Sequence, residues 1–190
     1  MTRAERLRAC AAAMRLGQSL ENILADHPGA ILAGGALRDT ITGKPVKDYD
    51  IFIPCWGGVL PNGDTLIDGR KQYGTFEALK IERVKYADQE FDLIYIWPED
   101  IAEEYFAQWV VDRFDFNICK VAYDPSTGLC FGDGFWADVV GKCLTLARRS
   151  AGWESHYERL KLKFPDYLFC ETEFDFVDAV QTTNGVGITQ

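Results

Sequence analysis

The sequence predicts an α+β domain, with helices packed around a mixed, partly antiparallel sheet of about five strands. Short apolar segments alternate with turns rich in glycine, proline, asparagine and aspartate, which is typical of short strands. With 190 residues, 47% hydrophobic and 13% aromatic, the chain can bury a core and does not have the composition of a disordered protein. We expect one folded domain over residues 1–150 and a C-terminal helix with a flexible tail over residues 151–190.

The N-terminal part begins with an amphipathic helix. We expect this helix over residues 3–26, where apolar side chains form a stripe, and the segment His27–Gly29 ends it. A strand over 30–33, a short helix over 36–42 and a second strand over 49–54 follow.

The middle of the chain contains a loop and a hairpin. Residues 55–74 hold five glycines, which predicts a long loop or an inserted hairpin. Strands over 79–86 and 90–97 are joined by a short polar connection at Asp88–Gln89, which favours an antiparallel hairpin. Pro98 then permits a helix through about residue 111.

The remaining elements are a second hairpin and a last helix. Residues 115–124 and 128–131 are predicted to pair across a turn that contains Pro125 and Gly128. Apolar residues at helical spacing predict an amphipathic helix over 152–163.

Two glycines and two aspartates flank the short helix near the N-terminus. Gly34 and Gly35 lack a Cβ, so the backbone can approach a ligand closely, and the helix that follows offers free N–H groups to a phosphate. Asp48 and Asp50 lie two residues apart at the start of a strand and so point to the same side. Two carboxylates this close repel unless a cation lies between them, and oxygen ligands suit Mg²⁺ or Mn²⁺. Phosphoryl or nucleotidyl transfer requires these parts.

Charge and cysteine usage limit the classes of partner. A net charge of −9 disfavours non-specific nucleic-acid binding, which relies on a basic face, but not binding of a nucleotide with its metal. The six cysteines include no Cys-x-x-Cys pair, which predicts free thiols in a reducing, cytoplasmic location. No apolar segment of 18 residues is present, so we expect no membrane partner.

Two motifs resemble a known family. Residues 34–39 read Gly-Gly-x-x-Arg-Asp, and residues 47–50 read Lys-Asp-x-Asp. Residues 113–119, Arg-Phe-Asp-Phe-Asn-Ile-Cys, are similar to an Arg-Arg-Asp-Phe-Thr-Ile-Asn segment. In this order they resemble the head domain of polymerase-β-type nucleotidyltransferases, and most closely the tRNA nucleotidyltransferase (CCA-adding) and bacterial poly(A) polymerase group. The resemblance covers roughly residues 28 to 145.

The resemblance implies roles for particular residues. Asp48 and Asp50 would be catalytic and bind the metal, together with a third carboxylate, for which Asp92 is our candidate because it is an isolated acid entering an apolar strand. The competing candidates for that third position are Glu77, Glu82 and Glu90. The nucleotide would be bound by Gly34, Gly35, Arg38, Arg113 and Asp115.

The second motif also departs from the family. Phe114 replaces the second arginine, which removes a charge-assisted contact to phosphate, and Cys119 replaces the asparagine. Asn117 is expected to face the same side as Cys119 and could compensate. His156 is expected to be an ordinary surface residue of the last helix.

The predicted activity is metal-dependent transfer of a nucleoside monophosphate from an NTP to a hydroxyl acceptor. The acceptor stays open: a tRNA or other RNA end, a small molecule and a protein are all candidates. The Glu-Asp-x-x-Arg template motif of the CCA-adding group is absent, which disfavours full CCA addition by this chain alone. The alternative is a degenerate nucleotide-binding or regulatory module that keeps the fold without turnover.

Overall fold

The computed structural model describes residues 18–60, 71–86 and 89–171, and within them the chain forms an α+β domain on a mixed, mostly antiparallel sheet. The helices are α1 (Gln18–Asp26), α2 (Gly35–Thr42), α3 (Phe106–Val111), α4 (Phe135–Gly141) and α5 (Trp153–Lys163). The strands are β1 (Ile31–Ala33), β2 (Tyr49–Pro54), β3 (Lys71–Tyr73), β4 (Phe76–Tyr86), β5 (Gln89–Ile96), β6 (Val121–Asp124), β7 (Gly128–Phe131), β8 (Cys143–Leu146) and β9 (Leu168–Glu171). Three short 3₁₀ turns occupy Trp56–Gly58, Glu103–Tyr105 and Asn117–Cys119.

The main sheet has seven described strands in the order β3-β4-β5-β2-β1-β6-β7. Only the β2–β5 pair is parallel. This pairing places Asp50 of β2 directly opposite Asp92 of β5. Because equivalent positions of paired parallel strands lie side by side, the two carboxylates enter the same part of the sheet.

Both faces of the sheet are covered, as the unbroken apolar runs of its central strands require. Side chains alternate between the faces: Ile51 and Ile53 pack on one side with α1 and α2, and Phe52 packs on the other with α3. Helix α3 contributes Phe106, Ala107, Val110 and Val111 to that second side. Burial of β2 on both faces therefore fixes the strand that carries Asp50 and follows Asp48.

A third apolar cluster joins the C-terminal segment to the sheet domain. Phe116 and Ile118 pack there with Leu160 and Phe164 of the α5 region and with the inner side chains of β8. Strands β8 and β9 form a separate two-stranded parallel sheet. Leu160 is the buried residue of α5, and with the wholly buried Phe164 that follows the helix it anchors α5 to this cluster.

The main elements predicted from sequence are present. The antiparallel β4–β5 hairpin and the β6–β7 hairpin are confirmed, as are β1, α2, β2 and α5. The sheet has seven described strands instead of about five, and β3, which lies in the stretch predicted as a long loop or inserted hairpin, extends one edge. Residues 3–17, 61–70 and 172–190, which hold most of the predicted first helix, much of the predicted loop and nearly all of the tail, lie outside the described residues.

Three other elements differ from the prediction. The helix expected from residue 98 begins as a 3₁₀ turn at Glu103 and becomes α-helical only at Phe106, since Asp100 takes a left-handed conformation with φ 58. The strand expected from residue 115 starts at Val121, because Asn117–Cys119 forms a 3₁₀ turn. Helix α4 and the β8–β9 pair were not predicted.

No helix among the described residues is long and apolar enough to cross a bilayer. The five described cysteines are free; Cys55 and Cys119 are buried, and the other three are half-buried.

Candidate active site

A cavity of about 570 Å³ opens where α2, the paired strands β2 and β5, and α5 meet. Acidic residues of the strands line one part of it, and cationic residues of α2 and α5 line another. The predicted site residues in its lining are Gly35, Arg38, Asp48, Asp50, Asp92 and Asp115.

The acidic part contains the three aspartates that sequence reasoning proposed. The Tyr73 hydroxyl donates a hydrogen bond to Asp50 Oδ1 at 2.5 Å. Asp92 is bound by the Arg83 guanidinium through two hydrogen bonds of 2.7 and 2.8 Å. The nearest cation to Asp48 is Lys47, with Nζ 3.9 Å from Oδ2. Asp48 is the most solvent-exposed of the three.

The electrostatics of Asp50 reflect this crowding. Burial raises the pKa of Asp50, the Tyr73 hydrogen bond lowers it, and the neighbouring Asp48 and Asp92 charges raise it again, so that the pKa is about 6. Burial and the Asp50 charge also raise the pKa of Tyr73, which keeps its hydroxyl protonated as a donor. Negative charge in this part of the cavity is therefore only partly compensated by the chain itself.

The competing acids lie elsewhere. Glu82 accepts a hydrogen bond from the Tyr95 hydroxyl, and Glu77 lines a different cavity. Glu90 is paired across the hairpin with Lys85. Of the candidates for a third carboxylate, Asp92 is the one that lines the main cavity.

The chemistry of the aspartates fits a hard divalent cation. Their oxygens are the ligands that Mg²⁺ and Mn²⁺ prefer, and their mutual repulsion is what a bound cation would relieve. Among the described residues, no group of three or more His, Cys, Asp and Glu side chains is close enough together to hold a metal ion. The carboxylates of Asp50 and Asp92 are instead bound by Tyr73 and Arg83.

Arg38 connects α2 to other segments that line the cavity. Its guanidinium is buried, with Nε 2.8 Å from Asp39 Oδ1 and Nη1 donating to Cys119 Sγ at 3.2 Å. Asp39 also accepts a hydrogen bond from Lys163 Nζ at 2.5 Å. Arg38 therefore joins α2, the Cys119 turn and α5 in one network.

His156 belongs to the same network, and its description as an ordinary surface residue was wrong. Its Nδ1 is 2.8 Å from Asp115 Oδ2, and its Nε2 is 4.0 Å from Cys119 Sγ. Burial alone would lower the pKa of His156, but hydrogen bonds to Asp115 and Cys119 raise it to about 9. Asp115 also accepts a hydrogen bond from the Phe116 N–H at 3.0 Å.

Sequence reasoning missed the contribution of α5, although a signal was present. His156, Arg159 and Lys163 are spaced at i, i+3 and i+7, which places them on one face of a helix. All three line the cavity.

The two glycines differ in position. Gly35 starts α2 and lines the cavity. Gly34 has φ +78, and a Cβ there would lie 3.0 Å from the ring of Phe114. Glycine at position 34 therefore permits both the left-handed turn into α2 and the close approach of Phe114.

Arg113 lies away from the main cavity. Its guanidinium carbon is 3.7 Å from the centroid of the Trp109 ring, and it lines a second cavity of about 190 Å³ together with Glu77 and Trp97. Burial, and then the nearby Arg148, lower the pKa of Arg113. Of the predicted site residues, Gly34 and Arg113 are therefore the two that do not line the main cavity.

Asn117 does not take the place of the missing asparagine at position 119. A Cβ added at Gly134 would lie 2.3 Å from Asn117 Nδ2, so the amide packs against that glycine. Cys119, and not Asn117, lines the cavity.

A family model matches most of the chain. Residues 5–142 match the model described as Gad2, Gabija anti-defense 2 family protein. A search of curated proteins finds no match.

Solved structures of CCA-adding enzymes are similar to the chain in fold. A CCA-adding enzyme in complex with CTP is 15% identical with a TM-score of 0.55, and the match covers 86% of this chain and 43% of that chain. The Thermotoga maritima CCA-adding enzyme complexed with tRNA is 16% identical with a TM-score of 0.55, covering 88% and 42%. A CCA-adding enzyme in complex with ATP is 17% identical with a TM-score of 0.52, covering 82% and 40%. The fold is that of nucleotidyltransferase head domains, and the chain spans less than half of each of these structures.

Proposed function

The chain belongs to the Gabija anti-defense 2 family, and from the geometry of its cavity we propose that it is a metal-dependent nucleotidyltransferase. It would move a nucleoside monophosphate from an NTP to a hydroxyl acceptor, and we propose that this reaction serves the anti-defense role. The observation that carries the proposal is the placement of Asp50 directly opposite Asp92 across parallel strands, with Asp48 beside them in the cavity. Crowded carboxylates in a cleft are costly unless they bind a cation.

Asp48, Asp50 and Asp92 would hold Mg²⁺ or Mn²⁺, which when bound supplies positive charge to the reacting phosphate and to the acceptor hydroxyl. Gly35 lets the α2 backbone approach the phosphates. Arg38, kept in place by Asp39, adds a fixed positive charge beside them. Asp115 would act through His156, which it positions at the cavity wall. No protein nucleophile is required, because positioning and electrostatics suffice for this reaction class.

The partners follow from the same site. An NTP is the proposed donor, and an RNA end is one candidate acceptor, since similar structures contain CTP, ATP and tRNA. Full CCA addition is not proposed, because the chain covers less than half of those enzymes. The free cysteines support a reducing compartment such as the cytoplasm as the place of action.

A second candidate function is a nucleotide-binding or regulatory module without turnover. The side chains that favour it are Tyr73 and Arg83, which bind the carboxylates of Asp50 and Asp92 within the chain itself. The replacement of motif residues by Phe114 and Cys119 favours it as well.

Replacement of the aspartates separates the two candidates. Asp48→Asn and Asp50→Asn should each lower nucleotidyl transfer by at least about a thousandfold, because each removes metal-centred charge. The protein without metal should be equally or more stable after Asp50→Asn, since repulsion is relieved. The assay incubates the protein with Mg²⁺, each labelled NTP and total cellular RNA, and follows label transfer.

Glu90→Gln is the matched control. It removes one charge from β5, two residues before Asp92, at a position outside the cavity, and should leave transfer unchanged. Transfer that persists within about tenfold in both aspartate variants would refute the assignment of these residues. A wild-type protein that binds NTP but transfers no label would favour the binding module.

A further inference from the structure

The cationic face of α5 lines the same cavity as Asp48, Asp50 and Asp92. His156, Arg159 and Lys163 all reach the cleft from this one helix. The helix lies outside residues 5–142, which match the family model, and outside both sequence motifs. The cavity therefore has a wall that neither the family match nor the motifs account for.

The three side chains differ in their hydrogen-bond and ion-pair partners. His156 is bound to Asp115, and Lys163 is bound to Asp39. Arg159 is exposed and has no hydrogen-bond or ion-pair partner among residues 18–60, 71–86 and 89–171. Of the three side chains, Arg159 is therefore the one whose charge is available to a ligand.

The cavity is close to charge balance although the chain carries a net charge of −9. Five aspartates line it, together with six side chains that carry or can carry positive charge: Arg38, Lys47, Arg83, His156, Arg159 and Lys163. Binding of a divalent cation at the aspartates would make this cavity positive. A polyanion that contacts both walls is the ligand that fits such a charge distribution.

We propose that Arg159, supported by Lys163, binds the phosphates of the nucleoside triphosphate in the role that the sequence motif assigns to Arg113. This inference rests on the proposed nucleotidyltransferase function. The planar guanidinium of arginine matches two phosphate oxygens, which an ammonium group cannot do. Arg113 stacks on Trp109 and lines a different cavity, whose lining contains none of the three aspartates.

The pairing of Lys163 supports this arrangement. Lys163 and Arg38 both bind Asp39, so the Asp39 carboxylate is neutralised on two sides. An incoming phosphate is then not repelled by Asp39, and it meets Arg159 one turn before Lys163 on the same helix face. Lys163 thus positions the wall, and Arg159 makes the contact.

The test measures binding of ATP and of inorganic tripolyphosphate by calorimetry, with Mg²⁺ and again with EDTA. Arg159→Ala should weaken binding of both ligands about tenfold, the size expected for loss of one charge-assisted contact. Lys161→Ala is the matched control, because it removes the same charge from the same helix at a position outside the cavity, and it should change affinity less than about twofold. Arg113→Ala should resemble the Lys161 control. Far-UV circular dichroism verifies that each variant is folded.

Equal affinities of Arg159→Ala and wild type would overturn the inference, as would a tenfold loss in Arg113→Ala alone. Loss of affinity for a single-stranded RNA oligonucleotide, with tripolyphosphate binding unchanged, would also overturn it, because the contact would then belong to the acceptor. Binding that depends on Arg159 in a protein that transfers no label would support the inference while refuting the proposed transferase activity. The experiment can therefore refute one proposal without refuting the other.

Discussion

Raising the pH should destabilise this protein through the His156–Asp115 ion pair. His156 has its pKa raised from 6.5 to about 9, chiefly by Asp115 and Cys119 working against the effect of burial. The folded state therefore binds the proton of the His156 imidazole more tightly than the unfolded chain does. Its contribution to the free energy of unfolding is complete below pH ~6.5 and is lost as the pH rises to ~9.

The expected magnitude follows from that pKa difference. Each pKa unit corresponds to about 1.4 kcal/mol, so the ion pair contributes up to about 3 kcal/mol to the free energy of unfolding. This is a large fraction of the stability of an ordinary domain. The His156 side chain is only 25% exposed and that of Asp115 only 6%, so screening by solvent should reduce the value little.

Urea unfolding between about pH 6 and about pH 9.5, under reducing conditions, measures this contribution. Over that range the free energy of unfolding should fall for the wild type by about 3 kcal/mol more than for His156→Gln. His27→Gln removes the only other histidine and should retain the wild-type slope. Parallel pH curves for wild type and His156→Gln would show that the ion pair does not stabilise the fold.

Three further predictions concern ligands and packing. The melting temperature should rise with Mg²⁺ or Mn²⁺ plus an NTP, and less with either alone, because each ligand completes the binding site of the other. EDTA should reverse the rise, and an unchanged melting curve would contradict this prediction. Gly34→Ala should cost about 1–3 kcal/mol in urea unfolding and more than Gly43→Ala, because both have positive φ but only position 34 is crowded by Phe114. Generic RNA and DNA should bind at ~10⁻⁴ M or weaker at physiological salt, measured by fluorescence anisotropy, and tight salt-resistant binding would refute the inference from net charge.

Local signals predicted the parts of the fold that surround the aspartates. Short apolar runs bounded by glycine and proline defined β1, α2 and β2 to within about one residue. The alternation of a strand was enough to place Asp48 and Asp50 together. Asp92 is different, because its place opposite Asp50 depends on parallel pairing of β2 with β5, which is a non-local contact. Resemblance to a family called for a third carboxylate, and the position of Asp92 as an isolated acid in an apolar strand made it the candidate.

The missed elements are short, and two of them pair with each other over a long sequence separation. Helix α4 has seven residues, and β8 and β9 have four each. Their pairing joins residues 143–146 to 168–171 across the whole of α5, a separation that local pattern does not encode. The late start of α3 has a local cause, since Asp100 takes a left-handed conformation that no strong sequence signal marked.

Arg113 and Asp115 show why side-chain direction was harder to predict than the elements. A strand from residue 115 would have continued the motif in extended form, with residues two apart on one side. Arg113 instead follows the end of α3, and its N–H donates to the Val110 carbonyl at 3.1 Å. In this turn conformation the alternation does not hold, so Arg113 stacks on Trp109 while Asp115 faces the cavity.

The two positions that depart from the family motif have acquired structural partners. Phe114 packs against Phe52 and Phe76 with ring centroids 6.0 and 5.5 Å away, and it closes over Gly34. An arginine at position 114 would lose these contacts between aromatic rings. Cys119 accepts a hydrogen bond from Arg38 and faces His156 of α5. Position 114 therefore brings no cation to the cavity, whereas α5 brings His156, Arg159 and Lys163.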